Sequence, residues 1–412
     1  MGKKNPNQTQ FDEYRDWQWI KHLILATYVV PWSVIVGKWS RSIFVVDACA
    51  GAGSYTDPDT GATISEGSPV IFAKRAKAYT QERGPGKTMR VFCCEKDHHN
   101  YALLAENLRP YAPHDTLMPS GGFERHVPEI AETIGNSPAL VLLDPIGVAT
   151  IPADAWEPLL VRPGKTDLFI VLHFAGVHRL RGWMLPDGSP NPAIEGARAG
   201  VLNMDRVFKG QEWRAIALDP KLENEKHREE RERRYVQLFF DQVIGDRHDW
   251  KGYIAVRARY SSPVKYWLIH ASNDETAYKL MNDQVVRVNE MLLNRENTDE
   301  TQLEGFAAAD LEAHHLTTSL ELEQAIHGCI ASAPDGQMAF GALRKQLASR
   351  FFGRVRWVGG YGSAIRNLCT AKTLEREAPR LGAKFGDGEI IRAVEPAPGP
   401  LGGNVVPIRQ VA

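Results

Sequence analysis

Residues 44–53, Phe-Val-Val-Asp-Ala-Cys-Ala-Gly-Ala-Gly ("FVVDACAGAG"), decide the fold class. An apolar run ends in Asp47, and Gly51 and Gly53 follow, set two apart. Glycine lets a backbone approach a ligand where a side chain would collide. The same spacing also serves a tight turn after a buried strand, so the glycines alone leave both readings open.

Working outward, "MRVFCCEK" (89–96), "ALVLLDP" (139–145) and "DLFIVLHF" (167–174) repeat the pattern of "SIFVVD" (42–47). These short, doubly apolar runs suit central strands covered on both faces. Helical patterns over 69–80, 98–109, 124–134 and 153–161 alternate with them. That alternation predicts a doubly wound, Rossmann-like α/β sheet. "KGYIAVRARY" (251–260) and "VKYWLIHAS" (264–272) extend the sheet after an insertion at about 178–250. Upstream, Tyr14, Trp17, Ile20, Leu23, Ile24 and Tyr28 predict a helix over 13–30 with Pro31 just past its end, inside an N-terminal segment 1–40 that packs on a core domain 41–295.

Ligands of such sheets sit beyond the carboxyl ends of the strands, near the topological switch point. A nucleoside there wants glycine-rich backbone after the first strand and an acid after the second for the ribose hydroxyls. The chain supplies Gly51 and Gly53, then Glu95, and Asp144-Pro145-Ile146-Gly147 closes the fourth strand. No GxxxxGK[ST] phosphate loop and no GxSxG elbow occur.

These segments carry a resemblance. "DACAGAGSYTDPDTGATISEGSPVIFAKRA", "CCEKD", "LVLLDPIGV" and "DLFIVLHF", with "WQWIKHLILATYV" upstream, resemble the three-Cys-motif partner (TcmP) family over roughly residues 15–275. The resemblance implies a class I methyltransferase-like Rossmann fold, an S-adenosylmethionine (SAM) pocket, and a companion protein of the three-Cys, radical-SAM-like kind. It assigns Asp47, Gly51 and Gly53 to the first SAM motif, Glu95 to the ribose, and Asp144 with Pro145 to the fourth, catalytic motif; Lys21 takes the family's basic position. Gly67-Ser68-Pro69 matches the family's helix start, where Ser68 suits an N-cap and Pro69 the first helical turn. The loop 54–66 intervenes, so that helix need not point at the ligand.

Departures are visible. Cys49 stands where a glycine or Phe is common and reads as a small filler beside the cofactor. "PSGGFE" (119–124) lacks the usual adenine-binding Asp and leaves Ser120, Phe123 and Glu124, of which Phe123 joins the cofactor set. No aromatic follows Asp144-Pro145, and a lost stacking partner forfeits about 1–3 kcal/mol per base. Two function classes therefore stay open: a SAM-dependent methyltransferase acting on or with nucleic acid, and a non-catalytic nucleic-acid adaptor with a degenerate pocket. His173, at a strand end near the pocket, reads as a base or as a satisfied core histidine.

The net charge is −1 over 412 residues, so any basic surface is local. Five cysteines without a CxxC pair read as reduced thiols of a cytoplasmic protein, with no metal site. No uncharged apolar stretch approaches the length of a membrane span. "KLENEKHREERERRY" (221–235) has six basic and five acidic residues and reads as a solvated, salt-bridged helix face, with a substrate lid as the alternative. Residues 296–318 read as a linker and 396–412 as a disordered tail. Between them, 319–395 suggests a winged-helix-like module: helices at 320–332, 338–351 and about 361–374, then a hairpin in "KFGDGEIIRAVE" with its turn at Gly386-Asp387-Gly388. Ten Lys/Arg against two acids over 338–384 suit DNA or RNA.

Overall fold

The computed structural model describes residues 16–56, 60, 62–111, 117–145, 152–257, 262–298, 304–376 and 385–394. The chain divides into two compact units, Met1–Leu311 with Ala348–Val355, and Glu312–Leu347 with Arg356–Ala412.

The first unit is built on a six-stranded sheet. Its strands are β1 (Ser42–Asp47), β4 (Thr88–Cys93), β5 (Ala139–Leu143), β6 (Thr166–Leu172), β7 (Trp250–Arg257) and β8 (Val264–Ser272), in the order β4-β1-β5-β6-β8-β7. The first four run parallel; β8 pairs antiparallel with β6 and with β7. This is a Rossmann-like, doubly wound arrangement whose order reverses between β1 and β5. Every residue of β5 and β6 is buried, the apolar run of β5 and of Leu168–Leu172 as expected and Thr166 and Asp167 in addition, whereas β7 at the edge alternates. Beyond β4 the next strand shrinks to one parallel bridge, Cys93 to Leu117.

Helices cover the sheet. α1 (Asp16–Val36) runs through Pro31 instead of ending before it. A mid-helix proline costs about 3 kcal/mol, and the burial of Tyr28, Val29 and Trp32 around Pro31 offsets that. Gln18–Val36 is long and apolar enough to cross a membrane, yet Ile24, Leu25, Tyr28 and Trp32 are at most 1% exposed, so it is a core helix here. α2 (Ser68–Arg83), α3 (His98–Leu108) and α4 (Phe123–Ile134) follow. In α4, Phe123, Val127, Ile130 and Ile134 make one apolar stripe against the sheet. A 3-10 turn and α5 (Glu157–Val161) lead into β6.

The insertion between β6 and β7 is helical, with α6 (Ala175–Arg181), α7 (Ala197–Phe208), α8 (Glu212–Leu218) and α9 (Arg228–Phe239). α9 is only partly the solvated helix its charges predict. Arg233–Glu229 and Arg234–Glu230 are surface pairs at i,i+4. Glu232, however, is buried and accepts hydrogen bonds from Trp267 Nε1 and the His178 imidazole (both 2.7 Å) and from Arg228 Nε (3.0 Å). Three donors compensate a carboxylate that charge periodicity alone assigns to solvent.

α10 (Glu275–Thr298) closes the first unit's regular elements. Residues 348–355 return to it: the Phe352 ring stacks on His270 (6.1 Å between centroids, 8° between planes), and the Gly353 N–H donates to Asn282 Oδ1 (2.9 Å). Gly252 makes room, since a Cβ there would lie 2.2 Å from Phe352 Cγ.

α11 (Glu304–Ala331) begins inside the expected linker, so 304–318 are helical. The stretch is rich in Ala, Leu and Glu, strong helix formers whose polarity hides the propensity. The second unit continues with β9 (Gln337–Ala339), α12 (Phe340–Ala348), α13 (Gly360–Thr370), β10 (Leu374–Arg376) and β11 (Ile390–Ala393). Its antiparallel sheet has the order β10-β11-β9. The hairpin within "KFGDGEIIRAVE" is thereby corrected: β11 pairs with 374–376 and 337–339, and Gly386–Gly388 lie in the longer connection leading into β11. The tail 396–412 lies outside the described residues.

His270 and His248 are fully buried, and burial lowers them to about 3 and about 4. The unfolded chain binds their protons near 6.5 and the folded chain does not, so their contribution is complete above about pH 6.5 and is lost as pH falls. Burial raises Asp47 to about 7 and Asp167 to about 6, which acts in the opposite sense, lowering stability as pH rises through that window. Comparing His270→Phe with the wild type isolates one term. In urea unfolding, the wild type loses about 1.4 kcal/mol per pH unit below 6.5 relative to the variant; a pH-independent difference refutes this.

Candidate functional site

The switch point between β1 and β5 opens into a cleft whose empty volume, its mouth included, is about 1230 Å³. Each parallel strand delivers its next residues to it. After β1 come Cys49, Ala50 and Gly53; after β4, Cys94, Glu95 and Lys96; after β5, Asp144 and Pro145; after β6, His173. Phe123 and Glu124 enter from the first turn of α4.

The glycine loop is shaped by backbone constraints. Gly51 and Gly53 have φ of 62° and 84°, a region that disfavours side chains. The intervening loop is a hairpin, β2 (Ser54–Thr56) with β3 (Thr63–Glu66), that folds back on itself. It returns the chain so closely that the Gly67 N–H donates to the Gly53 carbonyl (2.8 Å). A Cβ at Gly67 would lie 3.0 Å from that oxygen. The insertion thus leaves the helix start at the cleft, where Gly67 and Ser68 line it. The N-cap is Gly67, not Ser68, because the contact with Gly53 fixes the extended residue one position earlier.

Glu95 is nearly buried, and each of its oxygens accepts one main-chain N–H: Oε2 from Gly51 and Oε1 from Asp97, both at 2.8 Å. The carboxylate thereby locks the glycine loop to the β4 end and keeps a second lone pair on each oxygen for hydroxyl donors. Asp47 is fully buried below the loop. Ser68 and the main chain at Cys49 lie near enough to favour its anion, but neither closes a hydrogen bond of normal geometry, and burial lifts it to about 7. An orphaned carboxylate beside a cleft suits a cationic ligand group. Cys49 is half-buried, and burial together with Asp144, Asp47 and Glu95 holds its thiol far above the usual range, which leaves it inert as a nucleophile.

Asp144 meets a partner that strand-end reasoning missed. Lys21 of α1, 7% exposed, donates to Asp144 Oδ2. Burial alone would lower the Lys21 ammonium; Asp144 outweighs it and raises it above its ordinary value. Tyr55 and Tyr266 complete this end of the cleft, with the Tyr266 ring 5.4 Å from His173. Tyr266, on β8, escaped notice because its strand is antiparallel and lies outside the strand-end pattern. Ile146 and Gly147 lie outside the described residues. Among the described residues no His/Cys/Asp/Glu group could hold a metal ion.

No protein-family model matches the chain, and no curated protein is similar to it. Among solved structures, Trm1 from Pyrococcus horikoshii in complex with S-adenosyl-L-methionine is 12% identical, with a TM-score of 0.32 over 69% of this chain. A putative O-methyltransferase from Klebsiella pneumoniae is 10% identical, with a TM-score of 0.30 over 66% of this chain and 91% of its own. The chain covers 60% of the Trm1 length. Scores this low do not establish a common fold, so the Rossmann-like architecture rests on strand order and direction.

Removing one partner of a largely buried ion pair strands the other charge, at about 3–5 kcal/mol. Lys21→Met therefore destabilises the protein by about that amount, while Lys21→Met with Asp144→Leu costs less than the sum of the two single changes. Chemical denaturation of the four proteins in a double-mutant cycle measures the coupling; additive losses contradict it.

Proposed function

We propose that this protein is a SAM-dependent methyltransferase-like protein that works on or with nucleic acid, together with a three-Cys-motif companion. The observation that carries the reading is the meeting of Gly53, Glu95, Phe123, Asp144 and Pro145 in one cleft at the switch point. The fit to SAM is argued from the chain itself. Glu95 has lone pairs left for ribose hydroxyls, Phe123 offers a ring for the adenine, and the glycine loop admits close backbone approach. The orphaned Asp47 carboxylate suits the amino group of the methionine moiety. When bound, SAM supplies a methyl group on an electrophilic sulfonium. The protein's part is to align acceptor and donor in a site that excludes water, and positioning of this kind dominates such displacements.

The nucleic-acid part rests on the second unit. Three helices with a β10-β11-β9 sheet support the winged-helix reading. Arg366 and Asn367 are exposed on α13. The local charge is smaller than a raw count suggests, since Arg344 pairs with Asp387 and Arg376 with Glu389. Arg380 and Lys384 lie outside the described residues. The adaptor alternative draws support from the Lys21–Asp144 pair, which occupies one oxygen of the fourth-motif acid.

Calorimetric titration with SAM and S-adenosylhomocysteine (SAH) decides the cofactor half. Binding at micromolar to sub-millimolar ligand is expected, weakened at least tenfold by Glu95→Gln, which unlocks the glycine loop. No binding at millimolar ligand overturns the reading. If single-stranded or duplex DNA or RNA then binds with an affinity that falls steeply with salt, the adaptor reading stands.

A further inference from the structure

At the Asp144 end of the cleft, three ionisable side chains come together from three elements: Lys21 from α1, Asp144 from the end of β5 and His173 from the end of β6. We propose that His173, and not Asp144, receives the proton of the bound acceptor, while Asp144, tied to Lys21, is the fixed negative pole that orients the resulting imidazolium. This inference rests on the methyltransferase reading and specifies its acceptor.

Asp144 is badly placed to take a proton. Its Oδ2 is in contact with the Lys21 ammonium, and that lysine is buried. A proton arriving on Asp144 would leave the ammonium without its counter-charge inside the protein, an expensive arrangement.

His173 has the opposite properties. It is half-buried on the cleft wall, directly after the last residue of β6. The main chain of Lys265 on β8 lies near enough to favour the protonated ring, as a carbonyl acceptor does. With one ring N–H turned toward that side, the other nitrogen of the neutral imidazole is an acceptor. The tilted contact with Tyr266, 56° between planes, holds the ring from one side. The groups that act on it are Lys21 from α1, Asp144 from β5, and Tyr266 with the Lys265 main chain from β8. Burial lowers its pKa and Lys21 adds to that, while Asp144 and the Lys265 main chain oppose. The imidazole is therefore neutral at pH 7 and able to accept.

The step balances as follows. An acceptor X–H gives its proton to the free imidazole nitrogen. The lone pair of X forms the new bond to the methyl carbon as the carbon–sulfur bond of SAM breaks, and sulfur keeps the bonding pair as a neutral thioether. The imidazolium then faces Asp144. A base in this position restricts the acceptor class to groups with a removable proton, a hydroxyl or a ring or exocyclic N–H. Tertiary amines and thioethers are excluded.

NMR of the full-length protein labelled with 15N-histidine tests the site without turnover, with His173→Asn used for assignment. A single neutral tautomer at pH 7.5 is expected, titrating below 6.5, with the titration moved up by Lys21→Met and down by Asp144→Asn. A doubly protonated ring at pH 7.5, or a titration that neither variant moves, overturns the proposal. In the second arm, transfer of labelled methyl from SAM to randomised single-stranded RNA and DNA pools falls about 100-fold or more in His173→Asn, with SAH affinity within twofold of the wild type. Retained transfer in that variant, with SAH still bound, overturns this inference alone. Failure of the wild type to bind SAH overturns the methyltransferase reading itself. If neither pool is methylated, the titration decides.

Discussion

The ion pair between Lys21 and Asp144 is the constraint from which much of the first unit can be understood. It brings a charge from the N-terminal helix to the carboxyl end of β5, where the ligand cleft opens. Eleven residues further along the same helix, the Trp32 indole donates to Asp167, the second residue of β6. That separation corresponds to about 16 Å of helix. The helix therefore lies antiparallel to the central strands and is pinned at both ends by a carboxylate, half-buried at Asp144 and fully buried at Asp167. Lys21 meets the first, and Trp32 shares the second with the Ser272 hydroxyl of β8.

The same pinning explains why α1 passes through Pro31 without stopping. Ser33 lies two residues past Pro31, where the buried Arg75 of α2 donates to its hydroxyl (2.7 Å). Helix, sheet and cleft are thus one packing unit, and the chemistry at Asp144 cannot be separated from the stability of the N-terminal segment. Glu95, Glu124 and Asp144 line the cleft together with Lys21 and Lys96, and Asp47 lies buried beneath the glycine loop, so the cleft carries a small excess of acidic groups.

Much of this architecture was legible because buried parallel strands leave an unmistakable trace. "ALVLL" and "LFIVL" have no polar face to hide, and the residues after each strand fell where the switch point needed them. Glu95 and Asp144 were readable for that reason. Features that depend on long-range partners were not. Glu232 looks like one more surface acid in a run of alternating charges, and only the approach of Trp267 and His178 makes it interior. Residues 304–318 look like a linker by composition, while their Ala, Leu and Glu content favours the helix they form. Gly386 and Gly388 resemble the tight turn of a hairpin within "KFGDGEIIRAVE", while β11 finds its partner earlier in the chain, at 374–376.

The closure of Gly67 on Gly53 has a consequence for how this cleft tolerates change. The glycine loop and the helix start are joined directly across the base of the hairpin, so the stretch between them behaves as an appendix on a closed stem. Doubling the length of such an appendix adds only about 0.6 kcal/mol of closure entropy. The hairpin is therefore a place where a lineage can append recognition elements at the rim of the cleft, swapping what the site reads while the backbone that cradles the ligand stays as it is.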